Sequence, residues 1–341
     1  MAATGQKPLP AARVTIRTVA EDAGVSVAAV SKVMRNAYGV SEALRQNVSA
    51  SIERLGYRPS VAARGMRGRT YTLGVLLVEI ANPYLPQVID GINDILEPSN
   101  YQAMVGIGRS NMPIEASLIE SMIDYKMDGL ILVAPHMSGK VLAKFAGQIP
   151  IVAIAHHEPD AGDFDTINAD DQVGARLATE ALLARGYLDT AMISLGSGAL
   201  EVSNVVHHRE RGYLAAMAAA GLHARARIFP LPHPAPHDAM VRDILAAPDR
   251  PRALFCWSDI DAVVVINQAK QLGLRIPQDL AIIGYDNSSI AALPLIDLSS
   301  VDQAGRNQGA LAAETLLSRI GGRTLAQHKL ITPHLVARSS Y

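Results

Sequence analysis

The sequence predicts an α/β protein in two parts: a small all-helical head and a larger body of parallel sheets. Three observations carry this. Apolar residues recur at helical spacing across residues 15–56. From Tyr71 onward, short apolar strands alternate with amphipathic stretches. Charge divides at the same place. Residues 1–70 hold eleven Lys/Arg against four Asp/Glu, a surplus of seven, which leaves the remainder at −8 within a total of −1. A basic head on an acidic body implies a polyanionic partner for the head and a different task for the body.

At 341 residues, two or three compact units are expected, and 49% hydrophobic with 18% charged residues describes a core-forming chain. No apolar run reaches the roughly 18 residues of a membrane span. Residues 1–12 contain Lys7 and two prolines but no apolar signal segment. The single cysteine, Cys256, excludes an intrachain disulfide and leaves no thiol set for zinc. A cytoplasmic protein without metal or cofactor is expected. Neither a nucleophile elbow, nor a phosphate-cradling Gly-Lys-Ser/Thr loop, nor a metalloprotease His pair occurs, so catalysis finds no support.

In the head, Thr15 caps a helix over 16–23 with Ile16, Val19, Ala20 and Ala23 on one face. Gly24 supplies a turn tolerant of positive φ, and Ser26 caps a second helix over 27–35 whose inward stripe is Val30, Val33 and Met34. A third helix runs from Ser41 to Gly56 and presents Leu44, Val48, Ile52 and Leu55. Helix, short turn, helix is the DNA-binding helix-turn-helix pattern, in which the second helix enters the major groove. Its outer face then carries Val27, Ala28, Ser31, Lys32 and Arg35. Val27 and Ala28 suit thymine methyl groups, and Lys32 can reach a guanine edge or a phosphate. A three-helix domain with a merely solvated face is the alternative. Beyond Gly56 lies a basic stretch to Arg69, broken by Gly65 and Gly68, which is a poor helix alone and a candidate for ordering on DNA.

In the body, strands are expected at 73–78, 102–106, 129–133, 151–154, 190–194, 253–257 and 280–283. Helices are expected at 85–97, 114–125, 173–185, 209–219, 260–272 and 307–320. About 270 residues is large for one such sheet, so two lobes are expected. Open α/β sheets bind ligands beyond the carboxyl ends of their strands, where Asn82, Tyr84, His136, His156, His157, Trp257, Ser258 and Asp286 fall. The tract from Pro230 to His237 alternates proline with histidine, but without an acid or cysteine cluster it reads as a surface loop. Cys256, within an apolar run, reads as a buried hydrophobe.

The order of residues resembles the lactose-repressor (LacI/GalR) family from Arg13 to Ser339. The likeness is carried by Val14-Thr15-Ile16, Val19-Ala20, Ala23-Gly24-Val25-Ser26, Val30-Ser31-Lys32-Val33, Val40-Ser41 and Leu55-Gly56-Tyr57-Arg58-Pro59. The resemblance implies a helix-turn-helix head over 13–58, a hinge over 59–70, and a periplasmic-binding-protein-like effector and dimerisation domain over 71–341. The first lobe would take 71–169 and 302–327, the second 170–301 and 328–341. It implies a homodimer on operator DNA, with Val27, Ala28 and Lys32 reading bases. The full contact set is then Thr15, Ser26, Val27, Ala28, Ser31, Lys32 and Arg35, with Ala63 and Met66 from the hinge.

Met66 stands where the family usually has a leucine wedge for the minor groove. Lys32 stands where arginine is common, and it lacks the guanidinium fork. Thr18 replaces a frequent acid, which should weaken the first cap slightly. By the same resemblance Arg209, Asp286 and Gln303 contact a small sugar or sugar acid between the lobes. Tyr84, His156, Trp257 and Ser258 complete the expected site. Trp257 would stack on a sugar ring or, alternatively, pack in the core. Ser258 replaces a frequent asparagine, and Ala155-His156 stands where an acid often follows the fourth strand. The chain ends at Tyr341 without a heptad-bearing tail, which favours a dimer over a tetramer. Rival readings are a purine- or nucleoside-responsive corepressor-type regulator, and a solute-binding protein without DNA function.

Overall fold

The computed structural model describes residues 14–34, 37–58, 68–196, 204–231 and 237–341. It divides into two units, Met1–Thr70 and Tyr71–Tyr341.

The smaller unit holds α1 (Ile16–Asp22), α2 (Val27–Met34) and α3 (Glu42–Leu55). Each starts on a side-chain cap: Thr15 accepts from Thr18 N, Ser26 from Ala29 N, and Ser41 from Leu44 N. Thr18 does more than was expected of it. Its hydroxyl accepts from Thr15 N at 3.3 Å, closing a reciprocal capping box in place of an acid. Gly24 (φ +65) turns the chain between α1 and α2, and Gly56 (φ +59) ends α3. Val19, Ala20, Ala23, Val30, Val33, Val48 and Tyr57 form the core. Asp22 joins Ser51 and Arg54 of α3, and Asn47 donates to Ala23 O at 2.8 Å. These contacts fix the α1–α2 corner against α3.

The larger unit is built on two six-stranded sheets. The first contains β1 (Thr72–Leu77), β2 (Gln102–Ile107), β3 (Gly129–Val133), β4 (Ile151–Ile154), β5 (Asp165–Ala169) and β11 (His328–Ile331). Its order is β11-β5-β4-β3-β1-β2, all parallel. The second contains β6 (Thr190–Ser194), β7 (Arg227–Pro230), β8 (Ala253–Cys256), β9 (Ala281–Tyr285), β10 (Ser299–Asp302) and β12 (His334–Val336). Its order is β12-β10-β9-β8-β6-β7, with only β12 antiparallel.

Helices cover both faces, as parallel sheets require. Around the first sheet lie α4 (Tyr84–Leu96), α5 (Met112–Asp124), α6 (Gly139–Ala146) and α11 (Gly305–Ile320). Around the second lie α7 (Asp171–Ala184), α8 (Val205–Ala219), α9 (Asp238–Ala246) and α10 (Asp259–Gln271). Alternate strand residues serve opposite cores. Leu73, Val75 and Ile131 pack with Val88, Ile92 and Leu316, while Leu76, Leu130 and Leu132 pack with Ile119, Met122 and Phe164.

The chain crosses between sheets three times: after β5, after β10 and after β11. Asp170 N donates to Ile331 O at 2.8 Å, tying the first crossover to the third. The third crossing lies after Ile331, not after residue 327 as the family resemblance implied, because β11 is the outermost strand of the first sheet. His-Lys-Leu-Ile carries no apolar run, and a half-buried edge strand needs none. α8 also begins a turn earlier than expected, behind the Asn204 cap (Val206 N to Asn204 Oδ1, 3.0 Å).

Candidate functional site

On the head, Ala28 and Lys32 are exposed along α2, and Thr15 and Ser26 are exposed at helix starts with their hydroxyls used as caps. Ser31 is half-buried. Val27, expected on the open face beside Ala28, instead packs partly against the head core. The first turn of α2 leans on the neighbouring helices, so only one of the two small apolar residues stands fully outside. Arg35, Ala63 and Met66 lie outside the described residues, as does most of the proline-histidine tract. The sequence reading passed over Tyr38, which stands fully exposed in the turn between α2 and α3.

In the body, loops following β1, β4, β5, β8, β9 and β10 converge between the two sheets. Asp286, just after β9, is buried, and it receives Asn82 Nδ2 at 3.0 Å and Gln303 Nε2 at 2.5 Å. Asn82 belongs to the first sheet's loops, so this contact spans the lobes. Its other amide atom accepts from Tyr84 N at 2.9 Å, which fixes the amide's orientation and starts α4. A second span runs from Gln87 Nε2 to Asn287 O at 3.3 Å. Asp286 and Asn287 both have positive φ, 107° and 45°. Strained backbone at non-glycine residues persists only where surroundings over-determine it. Here Asn287 is held by Ser300, Asp302 and Arg338. Burial pushes the Asp286 carboxyl up to about 8, against the opposing pull of Arg209.

Arg209, in the second turn of α8, is buried and sandwiched between aromatic faces. Its guanidinium carbon lies 4.2 Å from the Trp257 ring centroid and 3.6 Å from that of Tyr285. Nε donates to Asp171 Oδ1 at 2.8 Å and Nη1 to Trp257 O at 2.7 Å. Asp171, the first residue of α7, also meets His157 Nε2 at 3.0 Å, and the His157 ring stacks on His208 at 3.7 Å. Burial pushes the Asp171 carboxyl up, but Arg209 and His157 outweigh it and hold the group below the usual carboxylate range. Burial and the neighbouring His157 press both His156 and His208 down to about 4.

The structure therefore brings Tyr84, Arg209, Trp257, Asp286 and Gln303 together. Ser258 is differently employed. It caps α10, accepting from Asp261 N at 3.2 Å and donating to Asp261 Oδ2 at 2.7 Å. His156 is buried against Phe164, with its backbone tied to Asn168, and it is His157, one residue on, that joins Asp171, the carboxylate paired with Arg209. His136 is held by the buried Glu115. Asp171, Asn82 and Tyr285 complete the centre. Nε2 of His156 is buried without a hydrogen-bond partner, an unusual state for a buried polar atom, while the Tyr84 hydroxyl lies beside Gln308 and that of Tyr285 beside Asp171. Gly174 of α7 makes room for Tyr285, since a Cβ there would fall 2.4 Å from its hydroxyl. Among the described residues, no cluster of His, Cys, Asp or Glu could hold a metal ion, and no helix is long and apolar enough to cross a membrane.

Comparison with known proteins agrees with this division. Residues 15–60 match the bacterial regulatory proteins of the lacI family, and residues 179–341 match a periplasmic binding protein-like domain. The ribose operon repressor of Escherichia coli (strain K12) is 32% identical over 333 residues, covering 96% of this chain and 99% of the repressor. The HTH-type transcriptional repressor PurR of Erwinia tasmaniensis is 31% identical over 333 residues, covering 96% of each. Among solved structures, a complex of the transcriptional regulator CelR with cellobiose matches with a TM-score of 0.69 at 26% identity, covering 96% of this chain and 100% of that one. The helical head and the two-sheet body are thus the fold class that the sequence predicts.

Proposed function

The chain belongs to the lacI family of bacterial regulatory proteins, and from that premise we propose that it is a sequence-specific transcriptional repressor. It acts as a homodimer on operator DNA and answers to a small sugar or sugar acid bound between its lobes. It works by binding, without catalysis, in the cytoplasm. Val27, Ala28 and Lys32 of α2 meet base edges, with Thr15, Ser26, Ser31 and Arg35 on the backbone, while the hinge contributes Ala63 and Met66.

The observation that carries the effector reading is the buried centre between the sheets. It combines a guanidinium, a carboxyl on strained backbone and two buried phenol hydroxyls from separate elements. Such groups suit a ligand rich in hydroxyls, and the exposed part of Trp257 offers an apolar face to a sugar ring. A ligand that touches Asn82 and Tyr84 on one side and Arg209 and Asp286 on the other favours one interlobe angle. That preference is a coupling free energy of about 1–3 kcal/mol and acts equally on DNA and effector affinities.

The homodimer finds support in β2. It is the outer strand of the first sheet, and its Met104 and Val105 are 53% and 49% exposed. An apolar unpaired edge is a natural surface for a second copy.

The test is thermal denaturation of purified protein against sugars, sugar acids, polyols and purines, followed by operator binding with any compound that stabilises. A stabilising sugar whose shift disappears in Arg209→Ala and Asp286→Ala upholds the reading. Stabilisation by purines alone replaces it with the corepressor reading, which the PurR similarity keeps in view. DNA affinity that does not fall steeply with salt overturns the regulator assignment itself.

A further inference from the structure

We infer that Asp171 sets the charge of the effector: paired with Arg209, it makes the cleft a receptor for an uncharged polyol and disfavours a sugar acid. This rests on the effector cleft proposed above and narrows its ligand class.

An arginine at a ligand site invites a carboxylate because two parallel N–H bonds match its two oxygens. In this chain Nε, one half of the guanidinium's side-on fork, is already engaged by a carboxylate. Nε is bonded to Asp171 Oδ1 at 2.8 Å and Nη1 to Trp257 O at 2.7 Å, while Trp257 and Tyr285 cover the guanidinium's two faces. Both N–H groups of Nη2 and one of Nη1 are left for a ligand, and Asp171 already supplies the counter-charge of the guanidinium they belong to.

The charge balance points the same way. The buried cation is matched by Asp171, while the second carboxyl of the centre, Asp286, is held toward its neutral form by burial. A ligand carboxylate would bring a further negative group to one guanidinium, in a place where water cannot screen it. The other polar groups of the centre are uncharged: the buried hydroxyl of Tyr84, beside Gln308, and that of Tyr285, beside Asp171. Both oxygens of Asp171 are held by the protein, Oδ1 by Arg209 and Oδ2 by His157 Nε2 at 3.0 Å. It is a positioning residue that acts through Arg209. The sequence holds no sign of this pairing, because the partners lie 38 residues apart on different helices.

Calorimetric titration of the full-length protein with matched pairs reads the preference directly: glucose and gluconate, galactose and galacturonate, ribose and ribonate. The protein is expected to bind a neutral member at least tenfold more tightly than its acid. Asp171→Asn, which keeps the shape and removes the charge, should shift that ratio tenfold or more toward the acid. A purely structural ion pair would weaken both ligands alike and leave the ratio unmoved. Removing both charges, with Asp171→Asn and Arg209→Gln together, should return the preference to the neutral sugar at lower affinity. A native preference for the acid, or an unchanged ratio in Asp171→Asn, overturns the role of Asp171 while leaving the cleft reading intact. If Asp171→Asn does not fold, the native ratio alone decides. No binding of any sugar or acid by protein that still binds DNA overturns the cleft reading and this inference together.

Discussion

Asp286 shows how a single residue can make the body sensitive to pH. Its folded-state pKa, about 8, lies above the ordinary value of 3.8. The neutral form is therefore favoured by folding, and its contribution is complete below pH 3.8 and lost as pH rises through about 8. His156 and His208 act in the opposite sense. Their values fall from 6.5 to about 4, so their contribution is present above pH 6.5 and lost as pH drops toward 4. Thermal denaturation between pH 5 and 9 should show Asp286→Asn gaining on the native protein at the alkaline end, and a parallel pair of curves would refute this. On the head, Lys32→Ala should cost about 1–3 kcal/mol of operator affinity. If Lys32 reads a base, the loss is concentrated at one operator position; if it meets phosphate, the loss is uniform across sequences and the salt dependence shallows.

At the scale of elements, α4 and α11 cross so closely that their backbones touch. A Cβ on Gly91 would lie 1.9 Å from Arg306 O, and one on Gly309 would lie 2.0 Å from Val88 O. Neither carbonyl can swing aside as a side chain would, so Gly309→Ala should destabilise the body by at least about 1–3 kcal/mol. A calorimetric melt should show a lower body transition, with the helical signal of the head unchanged.

Which elements could be read from sequence follows from burial. β3, β4 and β6 fall where expected because each is buried along its whole length and spells an apolar run. β7, β11 and β12 are half-exposed and spell no such run. β10 is hidden for another reason. Its Ser299 and Ser300 are buried but polar, bonded to Ser340 and Arg338 and to Asp259 and Asn287. The cleft divides in the same way. Arg209, Asp286 and Gln303 are singled out in the sequence by the family resemblance. Asp171 is not, because nothing local distinguishes it from any acid at a helix start. His157 stands outside the expected site because one step along the chain decides which neighbours a side chain meets.

For the molecule as a whole, coupling between cleft and DNA must be reciprocal. Operator DNA should change effector affinity by the same factor by which effector changes operator affinity, as paired titrations can check; unequal factors would mean a third linked equilibrium. The two sheets are also interleaved along the chain. The first sheet's core contains Leu85, Val88 and Ile92 of α4, which pack with Ala312, Ala313 and Leu316 of α11, and its edge strand ends only at Ile331. A ribosome adds roughly 5–20 residues per second, so α4 waits more than ten seconds for α11 to be made. During that interval the head can already be complete, while the lobe that follows it has no finished core. A nascent chain therefore has the part that holds DNA before the part that releases it, and its early apolar helices need shelter until the last tenth of the protein is synthesised.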